Sequence, residues 1–114
     1  MILGQRRFLQ PLLCATILVG TVAGARVWAE APTPATVVIQ NFMFAPTTLT
    51  IKNGSPVTWV NNDDEPHSVV SDTGLFRSGG LDTGERYSFR FDKPGTYHFT
   101  CSIHPRMVGT IVVQ

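Results

Sequence analysis

The sequence predicts an all-β fold in which about seven to eight short strands form a two-sheet sandwich. Short apolar or alternating runs recur along residues 36–114, and turn-forming glycine, proline and asparagine residues separate them. No stretch of this region repeats its apolar residues with the period of an amphipathic helix. A sheet with one apolar face must bury that face, so we expect two sheets that pack against each other. The chain is long enough for one domain only.

The predicted strands follow one another along the chain. Residues 36–41 and 49–52 form the first two, and the turn signal Asn53-Gly54 follows. The next strand covers residues 57–61, with Trp59 on its buried face. The remaining strands are predicted at residues 67–70, 86–91, 96–101 and 108–113. In residues 86–91 the aromatic residues alternate with polar ones, so that Tyr87, Phe89 and Phe91 point inward.

The last two predicted strands enclose a short loop. In residues 96–101 the alternation places Tyr97, Phe99 and Cys101 on one buried face and His98 on the other. Residues 108–113 are almost wholly apolar and β-branched, which is typical of a core strand. The loop between them is therefore held at both ends.

The N-terminal residues 1–29 have the pattern of a cleaved signal peptide. Arg6-Arg7 supply a positive start, residues 12–25 are apolar but short for a membrane span, and Val27-Trp28-Ala29 is a small-residue cleavage signal. Cleavage after Ala25 is an alternative, and the choice between general and twin-arginine export stays open. Residues 30–35 are an extended lead-in, residues 36–114 are the single domain, and the expected location is the periplasm.

Removal of this segment changes the charge and the cysteine count. Three of the nine basic residues but none of the eight acidic ones leave, so the mature chain carries a formal charge of −2 and no basic patch for nucleic acid. Cys101 then stands alone in an oxidising compartment, where thiols are normally paired, and metal ligation is a good reason for that. The mature protein is expected to be a monomer without a membrane span.

Three side chains with metal-binding chemistry occur at fixed short spacing in the loop. Cys101, His104 and Met107 follow one another three residues apart, and Pro105 stiffens the segment. Sulfur together with imidazole favours copper over magnesium, calcium or manganese. Since His98 lies on the opposite strand face, His67 is the natural second histidine of a blue-copper site.

Each of these residues also has an ordinary explanation. A buried cysteine is more often a small core residue, and a methionine at a strand start more often packs. The conjunction of Cys101, His104 and Met107 with His67 outweighs these readings, whereas His98 is interpreted as a surface residue. Met43, between two phenylalanines, is interpreted as packing near the site.

Residues 94–107, with Pro66-His67 before them, resemble the cupredoxins, and the loop spacing is most similar to that of amicyanin within the amicyanin and plastocyanin group. The resemblance implies a Greek-key β-sandwich that holds one type 1 copper ion through His67, Cys101, His104 and Met107. It also implies a hydrogen bond from the Ser68 N–H to the Cys101 sulfur, and Ile103, where many relatives have proline, has an N–H for a second. Two residues depart from the family pattern: Ser68 replaces the usual asparagine and Arg106 replaces an aromatic residue of amicyanin.

The same resemblance implies a function. It indicates a protein that shuttles single electrons by Cu(II)/Cu(I) cycling between redox proteins, such as a dehydrogenase donor and a c-type cytochrome acceptor. A docking surface would surround the exposed edge of His104 and include Pro66, Pro105 and Arg106, with Phe42 or Leu81 as further candidates. Copper delivery or storage is the alternative, but it usually needs a more exposed site, richer in methionine than a precursor with three. An enzyme such as a nitrite reductase or multicopper oxidase needs length and histidine clusters that this chain lacks.

Overall fold

The structure is a computed structural model of the chain, and it describes residues 15, 17, 19–21, 24–25 and 33–114. The predicted signal peptide and lead-in lie mostly outside the described residues and stay predictions. Within the described part of the chain, no helix has the length and apolar character needed to cross a bilayer.

Eight strands build the described domain, in two sheets of four strands each. In chain order they are β1 (Ala35–Gln40), β2 (Met43–Ala45), β3 (Thr48–Ile51), β4 (Pro56–Asn61), β5 (Val70–Ser71), β6 (Arg86–Arg90), β7 (Gly95–Thr100) and β8 (Val108–Val113). One sheet has the order β2-β1-β4-β6 and the other β3-β8-β7-β5. The all-β, two-sheet prediction is confirmed.

The connections follow the Greek-key pattern. β1 pairs in parallel with β4, β3 pairs in parallel with β8, and the other pairings are antiparallel. From β2 to β7 every connection crosses from one sheet to the other, and β7 and β8 then lie side by side. The loop that carries the predicted ligands therefore joins two neighbouring strands.

The core between the sheets is largely aromatic. Trp59 is fully buried, with its ring centroid 5.5 Å from that of Phe76 and 5.4 Å from that of Phe99. Tyr87 and Phe89 are partly buried and pack against this core, as the alternation predicted. Trp59 thus joins side chains of both sheets, which fixes the strands beneath the loop.

Three predictions about local structure need correction. β2 was missed because its turn, Asn41-Phe42, has no glycine, although both residues have positive φ angles of 53° and 57°. The strand predicted at residues 67–70 is only Val70–Ser71, and His67 instead forms an isolated bridge with Leu81. Met43 is 60 % exposed, so its predicted packing was wrong; in β2 Phe44 points inward instead.

Candidate metal centre

The loop of residues 101–107 is closed by its own backbone. The last pair of the β7–β8 ladder is Thr100 with Val108, so the loop begins and ends at adjacent positions. The Cys101 N–H donates to the Met107 carbonyl at 3.1 Å, and the Met107 N–H donates to the His104 carbonyl at 2.9 Å. These bonds hold three of the predicted ligand residues in one compact turn.

His67 reaches the loop from the segment between β4 and β5. Its backbone exchanges two hydrogen bonds with Leu81, His67 N to Leu81 O at 3.0 Å and Leu81 N to His67 O at 2.6 Å. Asn61 supports the same place, since its side-chain N–H groups donate to the carbonyls of Glu65 and Leu81 at 2.8 Å. The imidazole of His67 is fully buried.

Three potential ligand atoms converge. The Sγ of Cys101 lies 3.9 Å from His67 Nδ1 and 3.7 Å from His104 Nδ1, and all three ligand atoms lie within 4.8 Å of one another. A metal about 2.0–2.3 Å from each of three trigonally arranged ligands needs them about 3.5–4.0 Å apart. The spacing therefore fits a metal ion, and one thiolate with two imidazoles fits copper.

Met107 has the place expected of a fourth ligand residue. Its side chain is 5 % exposed, and the residue belongs to the same buried cluster as Cys101. Its backbone bonds to Cys101 and His104 place it in the turn that carries both. A thioether is a weak copper ligand, so Met107 would add a weak sulfur donor to the thiolate and the two imidazoles.

The thiol of Cys101 is prepared for ionisation. Burial raises the pKa of this group, but the N–H groups of Ser68 and Ile103 and the neighbouring imidazoles of His67 and His104 together lower its pKa to about 6. The thiolate is the form that binds a metal. The environment of Cys101 therefore favours the thiolate over the thiol.

Ser68 ties the two ligand-bearing segments together. Its N–H donates to Cys101 Sγ at 3.3 Å, and its Oγ accepts the Ser102 N–H at 2.8 Å and lies 2.7 Å from Ser102 Oγ. The Ser68 hydroxyl also lies 3.8 Å from Cys101 Sγ, as a weak donor. A pair of serine hydroxyls thus links the loop to the segment that carries His67.

Asp63 was not recognised in the sequence as a site residue. Its Oδ2 accepts the Nε2–H of His67 at 2.8 Å. The other ring nitrogen, Nδ1, then carries no proton, and its lone pair faces Cys101. Burial raises the pKa of Asp63, but the N–H groups of Phe42 and Asn41 and the His67 ring lower it below its ordinary range. Asp63 is therefore an anion that fixes the tautomer of His67.

The outer face of the site is apolar except for one cation. His104 is half-buried, and Phe42, Ile103, Pro105 and Arg106 line the depression around it. Pro66 is also exposed, whereas Leu81 is only 4 % exposed and so does not belong to this face. His98, as predicted, faces away, with Nδ1 3.1 Å from Thr110 Oγ1.

Comparison with known proteins agrees with this geometry. A family model described as a cupredoxin-like domain matches residues 12–113. The chain is 42 % identical over 85 residues to plastocyanin of Scenedesmus fuscus, covering 63 % of this chain and 87 % of that protein. It is 38 % identical over 96 residues to amicyanin-alpha of Methylorubrum extorquens, covering 75 % and 76 % of the two chains.

The chain belongs to the cupredoxin family. Among solved structures, this cupredoxin is similar to a purple cupredoxin from Nitrosopumilus maritimus, with a TM-score of 0.66 and 35 % identity over 70 % of this chain and 99 % of that one. It is also similar to part of a copper-containing nitrite reductase from Thermus scotoductus, with a TM-score of 0.67 and 37 % identity. That match covers 75 % of this chain but only 23 % of the enzyme. The similarity to the reductase is therefore to one part of a larger protein.

Proposed function

We propose that this cupredoxin is an exported electron carrier that binds one type 1 copper ion through His67, Cys101, His104 and Met107. The observation that carries the proposal is the convergence of Cys101 Sγ with the two imidazole nitrogens at 3.9 and 3.7 Å. Bound copper supplies one-electron chemistry by alternating between Cu(II) and Cu(I).

The protein's own contribution is to keep the ligands in place. His67 is fixed to Leu81 and Asp63, and Cys101 is fixed through the backbone of Met107. Ligands that hardly move between two oxidation states keep the cost of rearrangement low, which favours fast electron exchange. Electrons would enter and leave at His104, the ligand residue that is half-buried rather than buried.

Copper delivery or storage has less support. The Cys101 sulfur and the His67 imidazole are fully buried. Among the described residues, one methionine, Met107, lines the site. Met43, the other methionine of the described domain, lies at the surface of β2. A site that releases copper readily needs easier access than this arrangement gives.

The partners we propose are redox proteins, with a dehydrogenase as donor and a c-type cytochrome as acceptor. The protein would act as a periplasmic monomer after removal of residues 1–29. Among the described residues, one cluster could hold a metal ion, formed by His67, Cys101 and His104. The role proposed for this site is electron transfer, not catalysis.

The experiment that tests the proposal is voltammetry of the copper-loaded protein. We expect one reversible one-electron wave, unchanged over many cycles, and electron exchange with a soluble c-type cytochrome. A protein that binds copper but releases it on reduction would support delivery instead.

Arg106 should influence the choice of partner. Its side chain is exposed within the apolar face around His104. A guanidinium there loses hydration on docking unless it meets a carboxylate or an aromatic ring, so a partner acidic at that point is favoured. With such a partner, we expect Arg106→Gln to slow electron transfer roughly 2- to 5-fold at low ionic strength, the effect of one rim charge.

The control is Arg90→Gln, since Arg90 ends β6 and pairs with Asp92 at 2.9 Å, outside the face around His104. Stopped-flow rates would be measured from low to high salt. Identical salt dependence in wild type and Arg106→Gln would contradict a role for this residue in docking.

A further inference from the structure

We propose that Asp63 is a positioning residue that acts on the metal through His67 and on the docking face through Phe42. The inference rests on the proposed function, because it concerns the redox properties of a bound copper ion. Through these two contacts, one buried carboxylate would set the reduction potential of the site and the shape of its exposed edge.

The carboxylate of Asp63 receives three hydrogen bonds. Its Oδ1 accepts the N–H of Asn41 at 2.7 Å, and its Oδ2 accepts the N–H of Phe42 at 3.0 Å and the Nε2–H of His67 at 2.8 Å. Asp63 is 8 % exposed, so its negative charge is stabilised mainly by these donors. The β1–β2 turn and a ligand residue thus share one anion.

The backbone of Asp63 is held independently of its side chain. Its N–H donates to Asn61 Oδ1 at 3.0 Å, and Thr83 Oγ1 donates to its carbonyl at 2.5 Å. Asn61 in turn binds the carbonyls of Glu65 and Leu81. The backbone of Asp63 is therefore fixed by Asn61 and Thr83, and its carboxylate is fixed separately by the three hydrogen bonds that it accepts.

The contact with His67 should lower the reduction potential. A carboxylate that accepts the Nε2–H makes the opposite nitrogen a stronger electron donor. It also places a negative charge behind the ligand, where it stabilises the more positive Cu(II) state more than Cu(I). Removal of that charge should raise the potential.

The contact with the turn should hold Phe42 over both imidazoles. Asn41 and Phe42 have φ angles of 53° and 57°, a conformation that non-glycine residues rarely adopt without support. With the turn so held, the Phe42 ring meets His67 and His104 edge to face, at centroid distances of 5.2 and 5.0 Å. Phe42 is 47 % exposed, so it covers the site and also forms part of the outer face.

The test compares Asp63→Asn with Asp64→Asn. The two changes remove the same charge from adjacent residues, but Asp64 is exposed. In voltammetry of the copper-loaded proteins we expect a clear rise in potential for Asp63→Asn and little change for Asp64→Asn. Equal potentials in the two variants would overturn the proposal.

A second measurement uses the metal-free protein, so that it does not depend on copper chemistry. By NMR, wild type and Asp64→Asn should show a slowly exchanging Nε2–H on His67 and ring shifts of Phe42 that reflect its edge-to-face contacts with His67 and His104. Asp63→Asn should lose the first and change the second. An Asp63→Asn spectrum identical to wild type at both residues would also overturn the proposal.

Asp63→Glu keeps the charge but moves it by one methylene group, and it provides a folded comparison if the asparagine variant is unstable. The reduction potential of Asp63→Glu should lie closer to that of wild type than the potential of Asp63→Asn does. A potential equal to or higher than that of Asp63→Asn would contradict the charge argument. A wild-type protein without a reversible couple would overturn the proposed function, whereas the metal-free NMR comparison would still decide the role of Asp63.

Discussion

Cys101→Ser is expected to abolish the intense visible band of the copper-loaded protein and to weaken copper binding strongly. A serine hydroxyl is neither soft nor ionised at neutral pH, whereas the environment of Cys101 lowers the pKa of its thiol to about 6. Among the described residues, Cys101 is the free cysteine, so no other described thiol can replace it. The measurement is an absorption spectrum and a copper titration of the variant.

The control for this change is Ser102→Ala at the next position. It removes a hydroxyl that lies 2.7 Å from Ser68 Oγ but leaves the thiolate intact. This variant should keep its colour. Intense colour in Cys101→Ser would refute the assignment of the sulfur ligand.

Gly109→Ala is expected to lower the folding stability of the domain strongly. Gly109 is buried in β8 opposite Phe99 of β7, and a Cβ at this position would lie 2.6 and 2.9 Å from two atoms of the Phe99 ring, and closer to a third. Phe99 is fully buried against Phe44 and Trp59, at centroid distances of 4.7 and 5.4 Å, so its ring has little room to move.

Overpacking of this kind costs about 1–3 kcal/mol and occasionally more. For a domain of this size each kcal/mol lowers the Tm by roughly 4–8 °C, so we expect a decrease of roughly 4–24 °C in the metal-free protein. Gly80→Ala is the control, because Gly80 is exposed and a Cβ there meets nothing within 4 Å. Equal Tm values for the two variants would show that the β7–β8 interface tolerates the methyl group.

The sequence predicted most of the fold because the strands have regular patterns. The alternation of residues 96–101 correctly buried Phe99 and exposed His98, and the apolar run of residues 108–113 became β8. β2 escaped detection because a three-residue strand is too short to show a period and its turn contains no glycine. The conformation of Asn41 and Phe42 is supported by tertiary contacts, namely the hydrogen bonds that their N–H groups donate to the Asp63 carboxylate.

The site could be predicted where its residues are close together in the chain. Cys101, His104 and Met107 lie in one loop, and the structure brings His67 to them. Asp63 could not be found in this way, because in the sequence it is one of several polar and acidic residues before Pro66. Its role depends on donors 21 and 22 residues away, which no local pattern reveals.

The central claim is that a copper ion is bound by the thiolate of Cys101 and the imidazoles of His67 and His104. The most direct test is the visible and EPR spectrum of the copper-loaded wild-type protein. The account predicts an intense thiolate-to-copper band in the visible region and an EPR signal with a small copper hyperfine splitting, both lost on reduction and restored on reoxidation. A weak visible band together with the large splitting of ordinary Cu(II) complexes would contradict it.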